Sequence, residues 1–84
     1  MSLIEEKITK VIMEQLNMPR EECVPEADFI DDLGANYLDI VELGMALEEN
    51  FDIVIGDDEL ERLRTIQDLV DHIVDVLIQR EEGN

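Results

Sequence analysis

Apolar residues recur along this chain at helical rather than strand spacing. Ile4, Ile8, Val11 and Ile12, with Leu3 and Leu16 near the ends, mark one face of a first helix over residues 3–16. Glu5 and Glu6 suit the positive end of its macrodipole. Asn17-Met18-Pro19 stops it, because proline cannot continue the ladder and restricts the residue before it. A central helix is expected from Tyr37 or Leu38 to Asn50. At about 100° per residue, Ile40, Leu43, Leu47 and Phe51 share one side, the core face. Leu38, Val41 and Met45 fall on the opposite side, intermixed with Glu42, Glu48 and Glu49. A helix in a small domain needs only one apolar face, so this second stripe reads as a docking surface.

The remaining elements follow from punctuation. Asp52 to Gly56 reads as an extended connector whose Ile53 and Ile55 plug the core, too short and isolated to build a sheet. Gly56-Asp57-Asp58-Glu59 starts a short third helix with an aspartate as N-cap, and Leu60 and Leu63 are its buried residues. Thr65 caps the last helix, with Asp68 three residues on in the capping-box position. Ile66, Leu69, Val70, Ile73, Val74, Leu77 and Ile78 make its apolar stripe, and Arg80 to Asn84 are expected to fray. Between the first two long helices lies a long connection from Pro19 to Asn36, with a short helical turn at Arg20-Glu21-Glu22. Something must tie such a link down. Val24, Phe29, Ile30 and Leu33 are the expected anchors.

The stretch Asp32-Leu33-Gly34-Ala35-Asn36-Tyr37-Leu38-Asp39, followed by Val41-Glu42-Leu43, resembles the acyl carrier protein family. That family's pattern runs Asp-Leu-Gly-Ala/Gly-Asp-Ser-Leu-Asp and then Val-Glu-Leu. The resemblance implies an all-α, four-helix bundle with three main helices, one short helix and a long loop after the first, spanning residues 1–84 as a single domain. It further implies that the serine at the helix start carries a 4′-phosphopantetheine arm, and that Leu38, Asp39, Val41, Glu42, Met45, Glu48 and Glu49 dock basic partner enzymes. Here the attachment position is Tyr37, and the preceding acid is Asn36. Gly44 stands where the family commonly has a larger apolar residue, and Gly56 where it often has proline. Gly44 marks either close helix approach, the preferred reading, or a wider cleft beneath the helix.

Composition narrows the partners. Among 84 residues, 23 acidic against 6 basic ones give a net charge of −17, which repels nucleic-acid phosphates and anionic membranes and leaves basic protein surfaces as targets. With 45% apolar residues the chain is not disordered, and one small core buries roughly 60–65% of the unfolded surface. No apolar run approaches membrane-spanning length and no signal peptide is visible, so a cytoplasmic or organelle-matrix monomer is expected.

Enzymatic chemistry is not expected. His72, on the last helix beside Asp71, has no nucleophile or second zinc ligand at the right spacing. Neither Asp31-Asp32 nor the run from Asp57 to Glu61 fits a calcium loop. Cys23, the only cysteine, lacks a basic neighbour that would activate it, and is expected to be an inert, half-buried thiol.

The attachment chemistry requires a short aliphatic hydroxyl, whereas the Tyr37 hydroxyl sits several ångströms farther out on a rigid ring. Misplacement by about 1 Å already costs a large factor in rate. Ser2 is the only serine, and Thr9 and Thr65 belong to other elements. The expectation is therefore a non-enzymatic docking module without an arm or other cofactor. The alternatives are a genuine carrier of fatty-acid or polyketide synthesis with unusual attachment, or a small lipid-binding module using a cleft near Gly44.

Overall fold

The computed structural model describes residues 3–82. Helix α1 spans Leu3–Leu16, a 3-10 turn Arg20–Glu22, α2 Tyr37–Phe51, α3 Asp57–Arg62 and α4 Ile66–Glu82. This is the all-α, four-helix arrangement expected, with its long loop after α1. Its core joins Ile8, Val11 and Ile12 of α1 to Ile40, Leu43 and Leu47 of α2 and Leu69 and Ile73 of α4. Among the described residues none of the buried ones is polar or charged, so that interior rests on apolar contact.

Two helices end by one device. Asn17 (φ 54) follows α1 and Asp52 (φ 53) follows α2, both in the left-handed region that short polar side chains tolerate. Met18 N then donates to Met13 O at 3.1 Å, and Ile53 N to Glu48 O at 3.2 Å. These are the bonds by which a Schellman motif satisfies free carbonyls. The apolar residue after each reversal, Met18 or Ile53, folds back onto the core.

The loop is held in two ways. Asp28 organises it from within: its Oδ1 accepts from Ile30 N and Asp31 N at 2.9 Å each, while its own N donates to Asp32 Oδ2 at 2.7 Å. From outside, the start of α4 clamps it. Phe29 N donates to Arg64 O (2.9 Å), Ile66 N to Ala27 O (3.1 Å) and Gln67 N to Pro25 O (2.9 Å). That register buries Phe29 and Leu33 as expected, together with Ala27 and Ala35. Val24 and Ile30 are not anchors: they are 43% and 57% exposed, because the turn at Asp28 and the clamp rotate them outward.

Three further expectations are corrected. The N-cap of α3 is Gly56 rather than an aspartate; its N donates to Glu59 Oε1 at 3.1 Å. The apolar stripe of α4 leaves the core in its last turns, where Ile78 is 50% exposed. The helix also does not fray at Arg80. It continues through Glu82, and the Arg80 guanidinium donates to Asp52 O (2.5 Å) and Phe51 O (3.2 Å). A cation on the carbonyl end of α2 complements its macrodipole, and Lys7 Nζ adds a bond to Asn50 O at 3.1 Å. Gly83 and Asn84 lie outside the described residues.

Candidate functional site

The site is built around the start of α2. Asn36, with extended backbone (φ −96, ψ 177), is the N-cap. Its Oδ1 accepts from Asp39 N at 2.8 Å, and Asp39 Oδ2 accepts from Asn36 N at 3.1 Å. This reciprocal pair satisfies two amide donors at the helix start and fixes the direction in which the first helical residue, Tyr37, leaves the backbone.

Tyr37 is 54% exposed. Its buried half lies beside a cleft of about 280 Å³, walled by Phe29 and Ile30 of the loop, Ile40 of α2, and Leu60 and Leu63 at α3. The cleft is mainly apolar, with Arg64 and Glu61 at its edge. Tyr37 is thus partly a wall of this cleft and partly a surface aromatic. Gly44 lies elsewhere on α2. A Cβ added there would meet both methyls of Leu60 at 3.4 Å, so the space beside it is filled by α3, as close helix approach requires.

Not all of the expected docking residues stand free. Leu38 (61% exposed), Met45 (58%), Glu42 and Glu49 form an open strip, with Glu42, Met45 and Glu49 around a shallow depression beside Gln15 of α1. Val41 is half-buried and packs on the core. Asp39 spends an oxygen on the cap, and Glu48 Oε2 accepts from Ile55 N at 2.8 Å. The last bond anchors the connector to α2, a role that sequence spacing did not suggest. The outward strip therefore has two apolar and two acidic members, with three structural neighbours.

Other reactive groups are occupied structurally. Thr9 Oγ1 donates to Glu5 O (3.0 Å), and Thr65 Oγ1 accepts from Asp68 N (3.1 Å), whose carboxylate accepts from Thr65 N (3.2 Å). Ser2 lies outside the described residues. Cys23 Sγ donates to Pro19 O at 3.6 Å; burial pushes its pKa up, partly opposed by Arg20. A raised pKa disfavours the reactive thiolate. His72 Nε2 is 3.5 Å from Glu59 Oε2, and His72 does not line the cleft beside Tyr37. Among the described residues, no group of three or more His, Cys, Asp and Glu side chains could hold a metal ion, and no helix is long and apolar enough to cross a membrane.

Comparison with known proteins bears on the whole constellation. The family described as "Phosphopantetheine attachment site" matches residues 6–73. The acyl carrier protein of Syntrophus aciditrophicus (strain SB) is 49% identical over 70 residues, which cover 83% of this chain and 88% of that relative.

Proposed function

The chain belongs to the acyl carrier protein family, and from that premise we propose that it is a docking module that carries no arm. It engages basic surfaces of acyl-transfer or synthase enzymes through Leu38, Glu42, Met45 and Glu49, with Asp39, Val41 and Glu48 supporting that face. The observation that carries this reading is Tyr37 at the start of α2, directly after the Asn36 cap. Phosphopantetheine bound to a family member supplies a flexible thiol that holds acyl groups. The residues present do not fit it. The phenol oxygen lies at the far end of a rigid ring that is half-buried against the cleft, and the hydroxyls of Thr9 and Thr65 are engaged on other elements.

What remains is recognition. Two apolar side chains at i and i+7, flanked by carboxylates on one helix face, match a partner patch of arginine and lysine around an apolar pocket. Tyr37 adds an aromatic at one end, the residue type that dominates binding hot spots. The match over residues 6–73 favours a second reading, a genuine carrier modified by unusual attachment chemistry.

The docking claim is tested by surface plasmon resonance against a purified acyl-transfer enzyme of fatty-acid synthesis. Glu42→Lys/Glu49→Lys should weaken binding by about tenfold or more, with far-UV circular dichroism unchanged. Equal affinity of this folded variant and the native chain would remove α2 from the interface.

A further inference from the structure

A second groove runs along α1 and α4, sharing no lining residue with the α2 strip. Val70, Val74 and Ile78 stand at i, i+4 and i+8 on α4, so they face one way. Val70 is buried, Val74 half-buried and Ile78 50% exposed. They floor a groove of about 300 Å³ that is also lined by Glu5 of α1, with Asp71 and Asp75 of α4 along one side. A smaller hollow of about 110 Å³, lined by Thr9, Cys23, Pro25 and Ile66, shares Glu5, Gln67 and Val70 with it. The two form one trough along α4 from Ile66 to Ile78, roughly 18 Å, or about three helical turns.

Its charge is one-sided. Among the described residues, no lysine or arginine lines either hollow. Arg20 is paired with Glu6, Arg64 lies near Asp28, and Lys7 and Arg80 serve the end of α2. Asp71 and Asp75 accept from the amides of Gln67 (2.7 Å) and Gln79 (3.0 Å). Those neutral donors orient the carboxylates without cancelling their charge.

An apolar floor bordered by the Asp71 and Asp75 carboxylates fits an amphipathic helix whose apolar stripe is bordered by lysine and arginine. The net charge of −17 disfavours an anionic membrane, and a second copy would bring the same carboxylates into opposition. We propose that the α1–α4 trough docks a basic amphipathic helix, about three turns long, from a partner protein. This surface is independent of docking on α2, so the two faces are open to different partners at once.

The test uses the full chain, 15N-labelled, titrated with a synthetic helix-forming peptide carrying leucines at i, i+4 and i+8 flanked by lysines. A scrambled peptide of equal composition is the control. Amide shifts should gather at Thr9, Val70, Val74 and Ile78, and the scrambled peptide should bind more weakly. Asp71→Lys/Asp75→Lys should reduce affinity by about tenfold or more, whereas Glu42→Lys/Glu49→Lys should leave the trough shifts in place. Ile78→Glu, at a half-exposed position that the core does not need, should weaken the same shifts and guards against misfolding of the double variant. Shifts confined to α2, equal binding of both peptides, or trough shifts produced by self-association or by anionic phosphatidylglycerol vesicles instead of the peptide would each overturn the assignment.

Discussion

Gly44→Ala should stabilise the domain, although the site is buried and crossed by a neighbouring helix. Glycine in a helix interior is about 0.8–1 kcal/mol less favourable than alanine, and Gly44 lies in the middle of α2. The added Cβ would sit 3.4 Å from Leu60 Cδ1 and Cδ2, slightly inside the roughly 3.5–4.0 Å optimum for carbon pairs. Those atoms end a side chain on a six-residue helix, so a shift of a few tenths of an ångström relieves the contact. The expected net gain is about 0.5–1 kcal/mol, worth roughly 2–8 °C in melting temperature for a domain of this size. Thermal unfolding followed at 222 nm measures it. Gly44→Leu needs space that Leu60 already occupies, and should cost about 1–3 kcal/mol through overpacking. A lower melting temperature for Gly44→Ala would refute the reasoning, because it would mean that α3 is held too rigidly against α2 to yield. A stable Gly44→Leu chain would instead put an unfilled cleft beneath α2.

Removing the cation at the end of α2 with Arg80→Ala should cost about 0.3–1 kcal/mol, read as an earlier thermal transition, while Gln79→Ala should cost less. Asp28→Asn tests the loop's organiser. The amides of Asp31 and Ile30, helped by Arg64, hold the Asp28 carboxyl below its usual range. The resulting stability is present above the ordinary carboxylate pKa and is lost as pH falls through the lowered folded value. The variant should therefore melt earlier than the native chain at pH 7, with the gap closing as pH falls below the ordinary carboxylate range. Sodium chloride or millimolar magnesium should raise the native melting temperature by screening the 23 acids; a melting temperature indifferent to salt would contradict appreciable self-repulsion.

The helices were legible because each carries a period and a stop. Ile8, Val11 and Ile12, then Ile40, Leu43 and Leu47, are core by spacing alone, and Asn17 and Asp52 end their helices as short polar residues do. The loop was half legible. Phe29 and Leu33 are buried, yet Ala27 and Ala35 displace the larger Val24 and Ile30. Hydrophobicity ranks those four the other way. The order is set by backbone bonds from residues 25–29 to residues 64–67, which no local pattern encodes.

The same limit applies at the site. Spacing put Glu48 on the acidic face with Glu42 and Glu49, and the family resemblance added Asp39, but their carboxylates hold Ile55 N and Asn36 N. Arg80 looked like a fraying terminus because its acceptors, the carbonyls of Phe51 and Asp52, are distant in sequence. The Asn36–Asp39 pair is the part that sequence could have yielded, since an asparagine cap with an acid three residues later is a local motif.

The central claim is that this family member docks without an arm, and intact-mass spectrometry after incubation with coenzyme A and a broad-specificity phosphopantetheinyl transferase tests it most directly. The native chain should keep its mass. Asn36→Asp/Tyr37→Ser restores a short hydroxyl and the preceding acid, and aspartate caps a helix about as well as asparagine. With its helicity confirmed by circular dichroism, that variant should gain the mass of one phosphopantetheine. A native chain that gains it would contradict the account.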